Sequence, residues 1–263
     1  MGTAILAGLM RRGVDASEVV ASTKTEATAS RLADEFGITA IATETNAAAN
    51  AEAVVDADIV LLAVKPAYII EVLTQVASNL KPGSLVISVA AGITTAAMQA
   101  AVADNVAVVR AMPNTPAIVG RAVTGLAAGS RVSPEQLATA SELFESVGRV
   151  VVVGEDQIDK LSTVSGSGPA YVFYFIEEFT KAAVELGFMP DQARMLVEET
   201  FLGASELLAA SGKTPADLRR QVTSPNGTTM QAIAVFEQAN LHALFGRATA
   251  AALARAREIA EGK

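Results

Sequence analysis

Asp58-Ile-Val-Leu-Leu-Ala-Val64 is an unbroken apolar run, short for a helix and lacking the alternation of a half-exposed strand. A run of this kind is a strand covered on both faces, which belongs in a parallel sheet with helices above and below it. Val19-Val20-Ala21, Leu85-Val-Ile-Ser-Val89, Val106-Ala-Val-Val109 and Val150-Val-Val-Val153 read as further strands. The amphipathic stretches Thr25 to Phe36, Pro66 to Leu80, Thr94 to Ala103 and Pro134 to Val147 read as the helices between them. Strands alternating with helices imply βαβ units. Pro66 stands at a first helical position, and Ser133-Pro134 with Gln136 makes a helix start.

After Gly154 the strands cease. Ala170 to Leu186, Asp191 to Ala210, Pro215 to Gln221, Thr229 to Gln238 and Leu241 to Ala260 all read as helices. The expected organisation is an α/β domain over residues 1–154 and an all-helical domain over 155–263. The helix after Pro169 carries Tyr171, Val172, Phe173, Tyr174, Phe175, Ile176 and Phe179, apolar nearly all round. Such a helix belongs in a core or an interface. With 51% hydrophobic and only 18% charged residues, the chain is expected to bury surface on folding and again on self-association.

Composition also removes whole classes of function. There is no cysteine and one histidine, His242, so structural zinc, iron–sulfur clusters and thiol catalysis lack their ligands. His242 reads as an ordinary helix-start or surface residue. Twenty basic against 28 acidic residues give a net charge of -8, which argues against a nucleic-acid partner. The most apolar stretch, Val172 to Ile176, runs straight into Glu177 and Glu178, so no membrane partner is expected. The N-terminus shows no secretory pattern, and the absence of disulfides fits a cytoplasmic protein.

The opening residues, Met1-Gly2-Thr3-Ala4-Ile5-Leu6, read as the first helix of a Rossmann-like dinucleotide fold. Gly2 stands in the place of the last glycine of G-x-G-x-x-G, where helix and strand pack closely. A Rossmann unit places a strand and a glycine turn, roughly ten residues, ahead of this helix. The expectation is therefore that Met1 is an internal methionine or that the chain was trimmed. Ser22, Thr23 and Lys24 follow the next strand, where an acidic residue would accept the ribose 2′-hydroxyl of NAD. Two hydroxyls and an ammonium suit a 2′-phosphate instead, so NADPH is the expected cofactor, with NADH possible. Ser22 or Thr23 would serve equally as the N-cap of the following helix. Ala63-Val-Lys65-Pro66 and Ser88-Val-Ala90-Ala-Gly92 lie at strand ends, where ligands of open α/β sheets sit, although small residues there also make plain turns. Met112-Pro-Asn114-Thr-Pro116 reads as a stiff loop in which Asn114 ties down its own backbone.

In the helical half, Ser165-Gly-Ser-Gly-Pro169 breaks one helix and starts another, with Pro169 at a first helical position. Val222-Thr-Ser224-Pro-Asn226-Gly227-Thr228-Thr229 places turn residues before a helix N-terminus, a ready carboxylate site or a simple cap. Together these two segments resemble the signature of the pyrroline-5-carboxylate reductases. The ordered strand-end motifs at 63–66, 88–92 and 112–116 match as well, and the resemblance runs from Gly2 to the last helix. It implies a Rossmann domain, a helical domain that interlocks with a second subunit, and dimers that assemble into larger rings. Thr23, Asn50, Ala63, Lys65, Ala90 and Gly92 match the family's cofactor contacts. Gly227, Thr228 and Thr229 match the loop that takes the substrate carboxylate and ring nitrogen, with Ser224 beside them and Thr229 as the catalytic candidate. Asn226 stands where the family commonly has glycine. A protonated cyclic imine is already electrophilic, so a histidine or paired carboxylates are not required. One rival reading is a non-catalytic NADP-binding oligomer. The other is a β-hydroxyacid dehydrogenase, whose catalytic lysine has no counterpart around Ser165 to Ala170.

Overall fold

The computed structural model describes residues 1–260. The last three residues of the expected helical domain lie outside them. The chain opens on helix α1 (Gly2–Arg11) and continues through β1 (Val20–Thr23), α2 (Glu26–Phe36), β2 (Thr39–Ala42), α3 (Ala49–Val54), β3 (Ile59–Leu62) and α4 (Ile69–Val76). There follow β4 (Leu85–Ser88), α5 (Thr95–Gln99), β5 (Ala107–Met112), β6 (Ala122–Ala128), α6 (Pro134–Glu145), β7 (Gly148–Val152) and α7 (Glu155–Leu161). A single π turn at Ser162–Gly166 leads to α8 (Gly168–Glu185), α9 (Pro190–Ser211), α10 (Pro215–Gln221), α11 (Thr228–Gln238) and α12 (Leu241–Ala260). Pro169 is thus the second residue of α8, one place later than expected.

These elements form two compact units, residues 1–167 with 253–260, and residues 168–252. In the first, β1 and β2 make a parallel pair, and β3-β4-β5-β6-β7 make a second ladder. All neighbours are parallel except β5 and β6, which run antiparallel with Val109 opposite Ala128 and Met112 opposite Gly125. The strands β2 and β6 were not foreseen. Thr39-Ala-Ile-Ala42 and Ala122-Val-Thr-Gly-Leu-Ala-Ala128 are rich in alanine and glycine, which carry weak strand preference. Their ladders form because partner strands lie alongside, a non-local condition.

The five-stranded ladder is packed on both faces. Leu85, Ile87, Ala107, Val109 and Leu126 join Ile5 of α1 and Phe144 of α6 on one side. Val60, Leu62, Val86 and Val108 join Ile69, Leu73 and Val76 of α4 and Met98 of α5 on the other. Successive residues of one strand thus bury into opposite clusters, which is why the sequence is continuously apolar rather than alternating. Each fully buried side chain such as Phe144 or Ile87 contributes about 1.5–3 kcal/mol. Helix α6 begins with a reciprocal cap: Ser133 Oγ accepts the Gln136 N–H at 3.2 Å, and Gln136 Oε1 accepts the Ser133 N–H at 3.0 Å.

The helical unit buries far less. Ala183, Ala193 and Val197, backed by Ile176 and Phe201, form its cluster where α8 crosses α9. Phe175 and Phe245 meet at 6.0 Å between ring centres. Phe173 is 67% exposed and Leu186 78% exposed, with Tyr174, Phe179, Leu207 and Phe236 also open. His242 is exposed at the start of α12. No helix is long and apolar enough to cross a membrane among the described residues.

Candidate active site

The candidate cofactor residues fall in two groups of the first unit, at strand ends and the helix residues beside them. Ser22 in β1 donates its hydroxyl to Asn50 Oδ1 at 2.8 Å, and Asn50 Nδ2 donates to Gln75 Oε1 at 2.9 Å. Two residues drawn from separate parts of the sequence are thereby brought together. Neither Ser22 nor Thr23 caps α2. Thr25 does, accepting the Thr28 N–H, while Thr23 Oγ1 donates to the Thr25 carbonyl at 3.0 Å. The first-turn N–H of Glu26 is taken by Glu44 Oε2 at 3.0 Å. Lys24 is exposed and forms no ion pair among the described residues.

A second group lies where β3 and β4 end side by side. A Cβ built on Gly2 would stand 3.0 Å from the Cβ of Ala63, so α1 starts against the end of β3. The Val89 N–H donates to the Leu62 carbonyl at 3.1 Å, carrying the β3–β4 pairing one step past Ser88. Ala90 is buried, and its N–H donates to Ser88 Oγ at 3.2 Å. Gly92 has φ of 79°, a left-handed turn position that glycine adopts without steric cost. Lys65 caps the short 3-10 turn Pro66–Tyr68 through its carbonyl, leaving its side chain exposed. No ladder joins β1 to β3 among the described residues, so the Ser22–Asn50 group and the Gly2–Ala63–Ala90 group belong to separate sheets.

In the helical unit the loop before α11 has a shape set by sequence. Asn226 takes φ of 60°, a left-handed position that asparagine tolerates. Gly227 then donates its N–H to the Ser224 carbonyl at 3.0 Å. A Cβ on Gly227 would lie 2.4 Å from Ser224 Oγ and 3.1 Å from the Ser224 carbonyl oxygen, so a side chain there would force Ser224 to turn away and the loop to shift. No side chain caps α11. Its first-turn N–H groups, at Thr228 and Thr229, point out of the helix start with the positive end of the dipole. The half-buried Thr229 hydroxyl has no partner among the described residues, whereas Thr223 spends its own on the Arg219 carbonyl at 2.6 Å.

Other residues around these turns escaped sequence reading. Arg110 of β5 is 2% exposed. It donates from Nη1 to Glu155 Oε1 at 2.7 Å and from Nη2 to Asp159 Oδ1 at 2.6 Å. Glu155 Oε2 in turn accepts the Thr95 hydroxyl at 2.8 Å. The available signal was a lone cation at the end of Val106-Ala-Val-Val-Arg110 with Glu155 and Asp159 four apart on one helix face. Asn114, 8% exposed, does not bond its own loop as expected. Its Nδ2 donates to the Ser165 carbonyl at 2.9 Å and its Oδ1 accepts the Val123 N–H at 2.9 Å. Ser165 lies in the π turn Ser162–Gly166, which is closed by the Ser167 N–H reaching the Ser162 carbonyl at 2.8 Å. No cluster of three acidic, histidine or cysteine side chains able to hold a metal occurs among the described residues.

The model of pyrroline-5-carboxylate reductase dimerisation matches residues 155–259. Residues 1–92 match the model of coenzyme F420-dependent NADP oxidoreductases. A pyrroline-5-carboxylate reductase of Pseudomonas aeruginosa is 40% identical over 262 residues, covering 99% of this chain and 94% of its own. The chain belongs to the pyrroline-5-carboxylate reductase family. An Escherichia coli member is 39% identical, covering 92% of this chain and 88% of its own. A solved pyrroline-5-carboxylate reductase of Coxiella burnetii superposes with a TM-score of 0.91 at 37% identity, over 98% of this chain and 94% of its own. A Plasmodium falciparum reductase solved with NADP bound shares the fold, with a TM-score of 0.80 at 24% identity, over 99% of this chain and 94% of its own. Members of this family are oxidoreductases, and the match over 155–259 accounts for a helical unit that leaves so much apolar surface uncovered.

Proposed function

We propose that this chain carries out the reaction its family is named for, reducing 1-pyrroline-5-carboxylate to L-proline with NADPH, the last step of proline biosynthesis. The observation that carries the reading is the Ser224–Thr229 loop, with its left-handed Asn226, a Gly227 tightly packed on Ser224, an uncapped α11 and a Thr229 hydroxyl without a partner among the described residues. Free N–H groups at a helix start suit a carboxylate. In this reading Gly227 and Thr228 hold the substrate carboxylate, with Ser224 shaping the loop, and Thr229 Oγ bonds the ring nitrogen. That bond orients the protonated C=N and keeps the nitrogen's proton in place.

NADPH, when bound, supplies the hydride that adds to the imine carbon. The C=N π electrons become the lone pair of the ring nitrogen, and no leaving group departs. The residues at the strand ends suit such a cofactor. Gly2, Ala63, Ala90 and Gly92 leave room for backbone to approach a flat ligand. Lys24 and Lys65 offer cations, with Pro66 stiffening the turn after Lys65, and Ser22, Thr23 and Asn50 offer hydroxyl and amide contacts to the ribose side. Glu44 already takes the Glu26 N–H at the start of α2, so in this reading Lys24 supplies the charge for the 2′-phosphate. We assign residues 1–154 to the dinucleotide and 155–263 to substrate and dimer contacts, with a cytoplasmic location and dimers that build larger rings.

The test is NADPH oxidation by the purified protein with the cyclic imino acid, run beside NADH. Activity with a higher kcat/KM for NADPH supports both parts. Turnover with NADH preferred would refute the Lys24 assignment alone, and binding of NADPH without any turnover would favour a non-catalytic NADP-binding oligomer.

A further inference from the structure

The turn from Ser88 to Thr95 is held at both ends by groups outside it. At its start, Ser88 of β4 sits in register opposite Arg110 of β5. At its finish, Thr95 is 8% exposed and donates both its hydroxyl, at 2.8 Å, and its N–H, at 3.4 Å, to Glu155 Oε2. The other oxygen of that carboxylate accepts from Arg110 Nη1 at 2.7 Å, and Arg110 Nη2 is tied to Asp159 at 2.6 Å. One buried guanidinium therefore fixes the carboxylate that fixes Thr95.

Capping does not explain this arrangement. Thr94 already caps α5 by accepting the Ala97 N–H at 3.1 Å. What Glu155 adds is a fixed distance between the start of α5 and the strand that carries Arg110. Gly92 lies three residues before Thr95 with φ of 79°, and Ala90 is pinned to Ser88 Oγ. The span between the two anchors sets the course of these residues. A charge-assisted network of this kind, closed on a buried cation, has little freedom to shift.

We infer that Thr95 is a positioning residue for the cofactor turn, held by Glu155 and, through it, by Arg110. The inference rests on the reading that Ala90 and Gly92 meet the dinucleotide. Thr95 touches neither cofactor nor substrate in this role. It acts by keeping the turn in the conformation that receives the cofactor.

Thr95→Val and Thr95→Ser in the full-length protein separate this role from plain stability. NADPH dissociation constants from fluorescence titration, KM and kcat for each substrate, and Tm are the readouts. The valine variant is expected to raise the NADPH Kd and KM more than twofold, with kcat at saturating NADPH and the imino-acid KM within twofold. Serine, which restores the hydroxyl, is expected to return them to the unsubstituted values. Thr95→Ala serves the same purpose should valine beside Glu155 prevent folding. A valine or alanine variant that binds NADPH within twofold of the unsubstituted protein overturns the inference, whatever its Tm. Failure of the unsubstituted protein to bind NADPH overturns the cofactor reading itself, and the inference with it.

Discussion

The first turn of α1 is pressed against the end of β3, because a Cβ added to Gly2 would lie only 3.0 Å from the Cβ of Ala63. A single methyl here demands a shift of a few tenths of an ångström, and a branched side chain demands more. Gly2→Val is expected to cost about 1–3 kcal/mol through overpacking and to weaken NADPH binding several-fold. Thermal unfolding with and without NADPH checks both. Wild-type affinity in this variant would show that the contact does not shape the cofactor site.

Thr229 carries a hydroxyl that no other described residue uses. Thr229→Val is expected to lower kcat/KM for the imino acid by an amount equivalent to about 1.5–3 kcal/mol, the worth of one hydrogen bond to a charged group. The KM for NADPH should stay within twofold. Steady-state kinetics with each substrate varied decides it, and unchanged activity would reduce Thr229 to a helix-start residue.

Asn226 holds φ of 60° just before the glycine that starts α11. A left-handed position costs a side chain with Cβ roughly 1–2 kcal/mol, least for asparagine. Asn226→Gly is therefore expected to keep kcat/KM within twofold and to match or exceed the parent Tm. Asn226→Val should distort the loop and cut kcat/KM for the imino acid at least tenfold. Equal activity in the two variants would mean that the loop shape does not matter to the substrate.

Asn114 uses both ends of its amide, one on Ser165 and one on Val123. Asn114→Asp keeps the acceptor for Val123 and loses the donor to the Ser165 carbonyl. The π turn then loses its tie, at an expected cost of about 1–3 kcal/mol for the carbonyl left unpaired. Denaturant unfolding measures it. Stability within 0.5 kcal/mol of the parent, about the usual effect of a surface change, would contradict this account.

The helical unit leaves Phe173, Leu186 and Phe236 open to solvent in the single chain. Self-association is expected to cover them. Light scattering should give a mass of at least a dimer, and Phe173→Glu should shift the distribution towards smaller species. A monomer at micromolar concentration would remove the need for a partner face on α8.

Much of this was legible in the amino-acid order, because it rests on local chemistry. The buried strands announced themselves as continuous apolar runs, Ser133 with Gln136 marked the start of α6, and α10 and α12 fall where the pattern places them. Gly2 and Gly227 stand where the chain packs closely, and Asn226 where the backbone turns left-handed, positions that glycine and asparagine meet most readily. Family motifs then named the strand-end and loop residues.

The rest depended on distant segments meeting. β2 and β6 are alanine-rich stretches with weak preferences of their own, and they became strands only because partners lay beside them. Ser22 and Thr23 belong to β1 and Thr25 caps α2, while Ser22 bonds Asn50, 28 residues away. Asn114 bonds across to Ser165 instead of its own loop. Arg110, Glu155 and Thr95 lie far apart in the chain, and each alone reads as an ordinary residue of its element. Periodicity and capping are set within a few residues, so the amino-acid order alone determined the strongly apolar strands, the long helices and the glycine positions. Which polar groups find one another is set by how those elements pack, and only the tertiary structure decided it, because a buried charge or amide must be satisfied by whatever the fold brings within reach.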